Sequence, residues 1–141
     1  MRKRRPLTSA SALLGLLIGA LSAGGQTLPI LLERTSAPGL YVAVLSLLTF
    51  LLSPVAVFAL GYWVGNHVDV AADYDRIAFL MGLTGGVASF AGYTAVMVGI
   101  APDVATRVPV LLSGGFNAAV RVVDFGITGL AGAAVAHFRR L

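Results

Sequence analysis

The sequence lacks cysteine, which excludes disulfide bonds, thiol nucleophiles and thiolate metal sites. Charge is also scarce: Asp, Glu, Lys and Arg together make up 11% of the chain, too few to cover a soluble domain with polar surface. Apolar residues reach 57% of the sequence, whereas soluble domains contain roughly 45–50%. This composition excludes an ordinary soluble domain and indicates a membrane protein.

Long stretches without Asp, Glu, Lys or Arg occupy most of the chain. Residues 7–32, 35–68 and 77–102 are three such stretches, and each exceeds the ~20 residues that a helix needs to cross a bilayer. A fourth apolar stretch is interrupted only by Arg121 and Asp124. We therefore predict a single all-α membrane domain, a bundle of four transmembrane helices. Their predicted bounds are about 7–32, 38–65, 77–101 and 108–138 of residues 1–141.

The net charge of +4 comes from basic residues that cluster at the two ends of the chain, residues 2–5 and 139–140. This distribution suits anchoring beside anionic lipid and does not suit binding of nucleic acid. With four spans and the N-terminus inside, Arg76 also falls inside, while only Arg34 and Arg107 fall outside. The positive-inside rule therefore predicts that both termini are cytoplasmic. Lys3 is the sole lysine, and this preference for arginine favours a prokaryotic cell membrane.

The first apolar stretch allows a second interpretation. Arg4 and Arg5 before an apolar run, with small residues at 20–23, are also typical of a cleaved signal peptide. The run continues uncharged to Leu32, past the 7–15 residues of a signal core. We expect a retained helix, and cleavage would leave the orientation of the other three helices unchanged.

Small residues recur at helical spacing on three of the four predicted helices. Membrane helices associate through close backbone approach at such residues, because lipid supplies no hydrophobic drive. The glycines expected to pack are Gly15 and Gly19 on the first helix, Gly85, Gly92 and Gly99 on the third, and Gly126 on the last. The pattern predicts a compact bundle. Four helices enclose little volume, so we also expect a homo-oligomer or a membrane-protein partner besides the lipid bilayer.

A polar stripe crosses the last predicted helix. Ser113, Asn117, Arg121, Asp124 and Thr128 fall on one face at 100° per residue. A charge deep in a bilayer costs about 2.5–3.5 kcal/mol on insertion scales, so Arg121 and Asp124 are expected to pair and to face away from lipid. Polar residues on the other helices are possible partners, namely Ser22, Gln26, Ser46, Thr49, Ser53, Ser89 and Tyr93.

Three interpretations of the stripe remain open. The first is a structural or accessory membrane protein in which the Arg121–Asp124 pair holds the bundle together. The second is a small ion or solute channel or transporter that binds its ligand with Asn117, Arg121, Asp124 and Tyr93. The third is a broken last span, with residues 108–120 and 125–138 as a re-entrant pair. That arrangement would place the C-terminal arginines outside, against the positive-inside rule.

The sequence gives little support for metal binding or catalysis. His67 and His137 lie at membrane boundaries without a second histidine at metal spacing. The acidic segment at residues 69–75 lacks the Gly turn and final Glu of a calcium loop. No Ser/His/Asp set can be assembled at one membrane depth. We expect no enzymatic activity, no metal and no cofactor.

Residues 82–94, Gly-Leu-Thr-Gly-Gly-Val-Ala-Ser-Phe-Ala-Gly-Tyr-Thr, resemble the Gly-Gly and Ser/Thr-Phe run in the third helix of fluoride channels. Those channels are also small four-helix membrane proteins. The first span of this chain lacks their Gly-rich stretch ending in Arg, and the second lacks their polar Asn. No channel role is therefore carried over to Ser89 or Phe90.

Overall fold

The computed structural model describes residues 5–31, 38–68, 70–100, 102–105 and 107–139. These residues form helices and short connections, with no strand among them. The basic residues 2–4, Arg34, Asp69 and Arg140 lie outside the described residues. The helices are α1 (Arg5–Leu31), α2 (Pro38–Gly65), α3 (Val70–Ile100), α4 (Pro102–Ala105) and α5 (Val108–Phe138).

Four of these helices, α1, α2, α3 and α5, are long and apolar enough to cross a membrane. The predicted all-α bundle of four transmembrane helices is confirmed. The last span is one continuous helix through Arg121 and Asp124, so the interpretation as a broken re-entrant pair is wrong. The i, i+3 spacing lets the two charges pair within the helix, which removes the need to break it.

The third helix begins earlier than its hydropathy suggests. α3 starts at Val70 rather than at Ile77, and its backbone leaves helical geometry at Asp73, with φ −127° and ψ 21°. Val70 is buried, which fixes this extra turn against the bundle. The short helix α4 was not predicted. Its Ala105 is buried in one cluster with Tyr93 and Met97 of α3.

The four long helices form a ring in the order α1, α3, α5, α2, in which each packs against two neighbours. A cluster of Leu7, Val64 and Ile77 brings together the start of α1, the end of α2 and the start of α3. Gly65 of α2 also lies against Ala133 near the end of α5. The start of α1 and the end of α5 therefore lie at the same end of the bundle, which we call the terminal end.

Glycines mark the closest helix contacts. A Cβ at Gly15 would overlap the Gly85 carbonyl oxygen, and one at Gly19 would overlap the Ser89 carbonyl oxygen, so α1 and α3 are parallel and in backbone contact. Gly92 lies equally close to the Leu16 carbonyl oxygen. These approaches leave no room for a side chain.

The remaining predicted packing glycines differ from one another. Gly85 also faces the Phe125 ring, which joins α3 to α5. A Cβ at Gly126 would lie 3.3 Å from the Ala78 carbonyl oxygen. Gly99 is exposed, and a Cβ there would meet nothing within 4 Å among the described residues. Gly99 therefore makes no helix contact within this part of the chain.

The helix α2 packs tightly on α5 only in its second half. Gly61 meets the Gly129 carbonyl, and Gly132 of α5 meets the Phe58 carbonyl. Pro54 lies inside α2 and has no N–H to donate to the carbonyl four residues earlier, which weakens the helix at this point. The half of α2 before Pro54 presents large exposed side chains, including Leu40, Tyr41, Val44, Leu47, Phe50 and Leu51.

Candidate functional site

The charged pair lies near the middle of α5 and connects to α2. Arg121 Nη1 lies 3.3 Å from Asp124 Oδ2, and it also donates a hydrogen bond of 2.9 Å to Ser53 Oγ. Thr128 Oγ1 donates to Asp124 Oδ1 at 3.0 Å. The result is a chain of four polar groups that runs from α2 along one face of α5.

The side chains of Arg121 and Asp124 are partly exposed. Their exposed fractions are 19% and 23%, whereas Ser53 is buried. Both interactions of the guanidinium use Nη1, and within the described residues Nε and Nη2 have no hydrogen-bond partner. A guanidinium carries five N–H donors, and three of them, on Nε and Nη2, have no acceptor among the described residues.

A cavity of about 490 Å³ lies between α1, α2 and α5 and reaches Arg121. We call it the polar cleft; its polar lining residues are Ser22, Gln26, Ser46, Thr49, Asn117 and Arg121. These groups offer hydroxyls, amides and one positive charge, and none of the described residues that line the cavity carries a carboxylate. Such a lining suits a polar or anionic group.

A second cavity of about 630 Å³ lies between α2 and α5 and shares Phe50, Asn117 and Arg121 with the polar cleft. We call it the apolar groove; its other lining residues are Pro54, Val120, Val123 and Asp124. The side chains of Phe50, Val120 and Val123 are exposed on the outer surface of the bundle. In a bilayer this groove therefore faces lipid.

Tyr93 lies on the side of Arg121 that faces α1 and α3, away from the apolar groove. Its hydroxyl donates a hydrogen bond of 2.8 Å to Gln26 Oε1, which joins α3 to α1. Tyr93 also borders a small cavity of about 10 Å³, the size of one water molecule, together with Ser89, Asn117 and Arg121. Thus Tyr93 helps to enclose the site but is not part of the lining of the polar cleft.

The structure brings the predicted site residues together around Arg121. Asn117 borders all three cavities, and its amide donates to the Ser113 carbonyl oxygen at 3.2 Å. Of these three cavities, Asp124 borders the apolar groove alone. Sequence reasoning did not find the groove, although Pro54 was a visible signal because it weakens the helix that forms one wall.

The polar cleft ends before the terminal end of the bundle. Ile18, Val57 and Phe125 form a buried apolar cluster there, with Val57 and Phe125 fully inaccessible. Below this cluster lies another, which contains Val64 and Met81. Among the described residues, apolar packing therefore closes the polar cleft toward the terminal end.

Fold and site together define a small multi-pass membrane protein with four spanning helices and a half-buried charged pair beside a polar cavity. Comparisons with protein-family models, curated proteins and solved structures find no match to this chain. Among the described residues, no group of three or more His, Asp or Glu side chains is arranged to hold a metal ion.

Proposed function

We propose that this chain is a transport protein of a prokaryotic cell membrane, and that it binds the anionic group of its substrate at Arg121. The observation that carries the proposal is the guanidinium at the base of the polar cleft, with its Nε and Nη2 donors unoccupied among the described residues. A charge at this depth is costly to maintain, and such residues are typically functional.

The chemistry of the guanidinium supports an anionic ligand. Arg presents parallel N–H donors that match the two oxygens of a carboxylate or the oxygens of a phosphate. Ser53 and Asp124 hold Nη1, which fixes the orientation of the group and leaves Nε and Nη2 for the ligand. The amide of Asn117 and the side chain of Gln26 border the same cavity and add hydrogen-bonding capacity.

A carrier fits the packing better than an open pore. Val57, Met81 and Phe125 fill the bundle between the polar cleft and the terminal end, and each is fully buried. A substrate bound at Arg121 thus requires a change in helix packing to pass further. The described side chains of α2 before Pro54 are largely exposed, so little packing resists such a change there.

The proposed orientation places the terminal end in the cytoplasm. Arg76 and Arg139 lie at that end, whereas Arg107 lies at the opposite end. The positive-inside rule favours the basic end as the cytoplasmic one. Both termini are then inside, and the polar cleft opens toward the outside. The proposal includes no catalytic step and no cofactor.

A structural or accessory role, within an oligomer or beside another membrane protein, is the second candidate. It is favoured by the Arg121–Ser53 hydrogen bond, which connects α5 to α2 where their close packing begins. In that case the charged pair serves assembly alone. Apolar residues should then replace it with little loss, because a buried ion pair often contributes little net stability.

Ion flux through the purified protein in liposomes separates these candidates. We would test fluoride, chloride, phosphate, a medium-chain carboxylate, potassium and protons, with the native chain beside the Arg121→Ala/Asp124→Ala variant. Arg139→Ala is the control, because it removes a charge outside the polar cleft. We expect anion flux that the double variant loses while it remains folded by size-exclusion chromatography. Equal flux in both proteins would refute the site, and no flux of any ion would favour the structural role.

A further inference from the structure

Two cavities meet at one charged side chain, one bordered mainly by polar residues and the other mainly by apolar ones. The polar cleft and the apolar groove each have a volume in the range of ligand pockets, roughly 300–1,000 Å³, and both are bordered by Asn117 and Arg121. One wall of the groove is Phe50 and Pro54 of α2, and the other is Val120, Val123 and Asp124 of α5. The Asp124 carboxylate accepts hydrogen bonds from Arg121 Nη1 and Thr128 Oγ1. Arg121 lies where the polar and apolar linings join.

A small hydrophilic anion would use only part of this arrangement. It would occupy the polar cleft and leave the apolar groove unused. It would make no use of the exposed Val120 and Val123, which line the groove but not the cleft. A molecule with an anionic head and a hydrocarbon tail matches both linings at once, since its head can bind Arg121 while its tail lies against these apolar side chains.

The position of the groove on the bundle surface indicates how a ligand reaches Arg121. Phe50, Val120 and Val123 are exposed on the surface that faces lipid, and Arg121 retains partial exposure beside them. An amphiphile dissolved in the bilayer can therefore reach the guanidinium sideways, between α2 and α5. The head need not first cross water, and the tail stays in an apolar environment throughout.

From this geometry, and resting on the proposed function, we infer that the substrate is a single-chain anionic amphiphile of the fatty-acid type. Its carboxylate binds Nε and Nη2 of Arg121 at the border of the polar cleft. Its tail occupies the apolar groove between Phe50 and Val123. It reaches the site from the membrane and not from the aqueous phase.

Photo-crosslinking tests this inference in the intact protein. The probe is dodecanoate with a diazirine near the end of its tail, added to protein in neutral phosphatidylcholine vesicles. We expect crosslinks on the residues of the apolar groove, mapped by mass spectrometry. Arg121→Gln should reduce capture at least tenfold, because the loss of even one charge-assisted hydrogen bond costs about that factor. Excess unlabelled dodecanoate should compete, whereas acetate should not.

A matched pair of variants examines the groove itself. Val123→Trp fills the apolar groove and should also reduce capture, whereas Ile127→Trp lies outside it and should not. Both positions are exposed, at 57% and 66%, so neither substitution disturbs the packed interior. Capture that is the same in native protein, Arg121→Gln and Val123→Trp would overturn the inference and identify ordinary lipid contact.

The inference and the proposed function fail in different ways. If anion flux depends on Arg121 but dodecanoate is not captured in the groove, a small hydrophilic anion is the ligand and the inference is wrong. If Arg121→Gln alters neither flux nor capture, the proposed function is wrong as well.

Discussion

Arg121 of α5 donates a hydrogen bond of 2.9 Å to Ser53 of α2, the residue directly before Pro54. Beyond this point toward the terminal end, α2 and α5 pack closely, with Gly61 against Gly129. On the other side, α2 presents exposed residues and the polar cleft begins. The hydrogen bond therefore marks the boundary between the closed and the open half of the bundle.

The charged pair should show strong energetic coupling. Arg121→Ala leaves the Asp124 carboxylate without its cation, and Asp124→Ala leaves the guanidinium with Ser53 alone. Each single substitution should cost about 1–3 kcal/mol of unfolding free energy, and the double substitution less than the sum of the two. Equilibrium unfolding in mixed micelles measures the three values. Additive losses would show that the pair does not interact.

The contact between α1 and α3 should not tolerate a side chain at Gly19. A Cβ there would overlap the backbone carbonyl of Ser89, which cannot move without the helix. We expect Gly19→Ala to lose about 1–3 kcal/mol of stability, measured by thermal unfolding in detergent. Gly24→Ala is the control on the same helix, because a Cβ there meets nothing within 4 Å in the described structure. Similar melting temperatures for both variants would contradict the observed packing.

The hydroxyl of Tyr93 should contribute through its bond to Gln26. Tyr93→Phe removes the hydroxyl and keeps the ring, so the expected loss is about 0.5–1.5 kcal/mol. The same substitution at Tyr41, which is 58% exposed, should have almost no effect. Combining Tyr93→Phe with Gln26→Leu in a mutant cycle isolates the bond. A coupling free energy near zero would show that the two side chains do not interact in the folded protein.

The proposed orientation can be tested without first removing native thiols, because the chain has no cysteine. His67→Cys introduces a thiol after α2, toward the terminal end, and Val108→Cys introduces one at the start of α5. Both positions are exposed. An impermeant thiol reagent on intact cells should label Val108→Cys at once and His67→Cys only after permeabilisation. The reverse pattern would place both termini outside.

Much of the fold follows from hydropathy alone, because each membrane span must be a continuous helix that satisfies its own backbone. The spacing of Gly15 and Gly19 also indicates a packing face. The predicted start of α3 was too late. The uncharged stretch begins only after Asp73, Asp75 and Arg76, whereas the helix already begins before these residues. Helix bounds at a membrane surface depend on local packing, here the buried Val70, which hydropathy does not report.

The candidate site was predictable in part. Helical periodicity places Asn117, Arg121 and Asp124 on one face without any knowledge of the other helices. The polar cleft and the apolar groove are different, because they exist only where one half of α2 stays away from the bundle. Pro54 indicates where that helix is weakened, but the path of its first half depends on tertiary packing. Likewise, nothing in the spacing of Tyr93 and Gln26 identifies them as partners.

The most direct test of the account asks whether water reaches the level of Arg121 from the outside. Asn117 lies one helical turn from Arg121 and borders the polar cleft, whereas Phe116 lies at the same depth on the lipid-facing surface. The variants to compare are therefore Asn117→Cys and Phe116→Cys. A water-soluble, impermeant thiol reagent added outside should modify Asn117→Cys rapidly and Phe116→Cys slowly, because a thiol reacts as a thiolate and needs water to ionise. Equal rates at the two positions, or no reaction of Asn117→Cys until the protein is denatured, would contradict a solvent-accessible site beside Arg121.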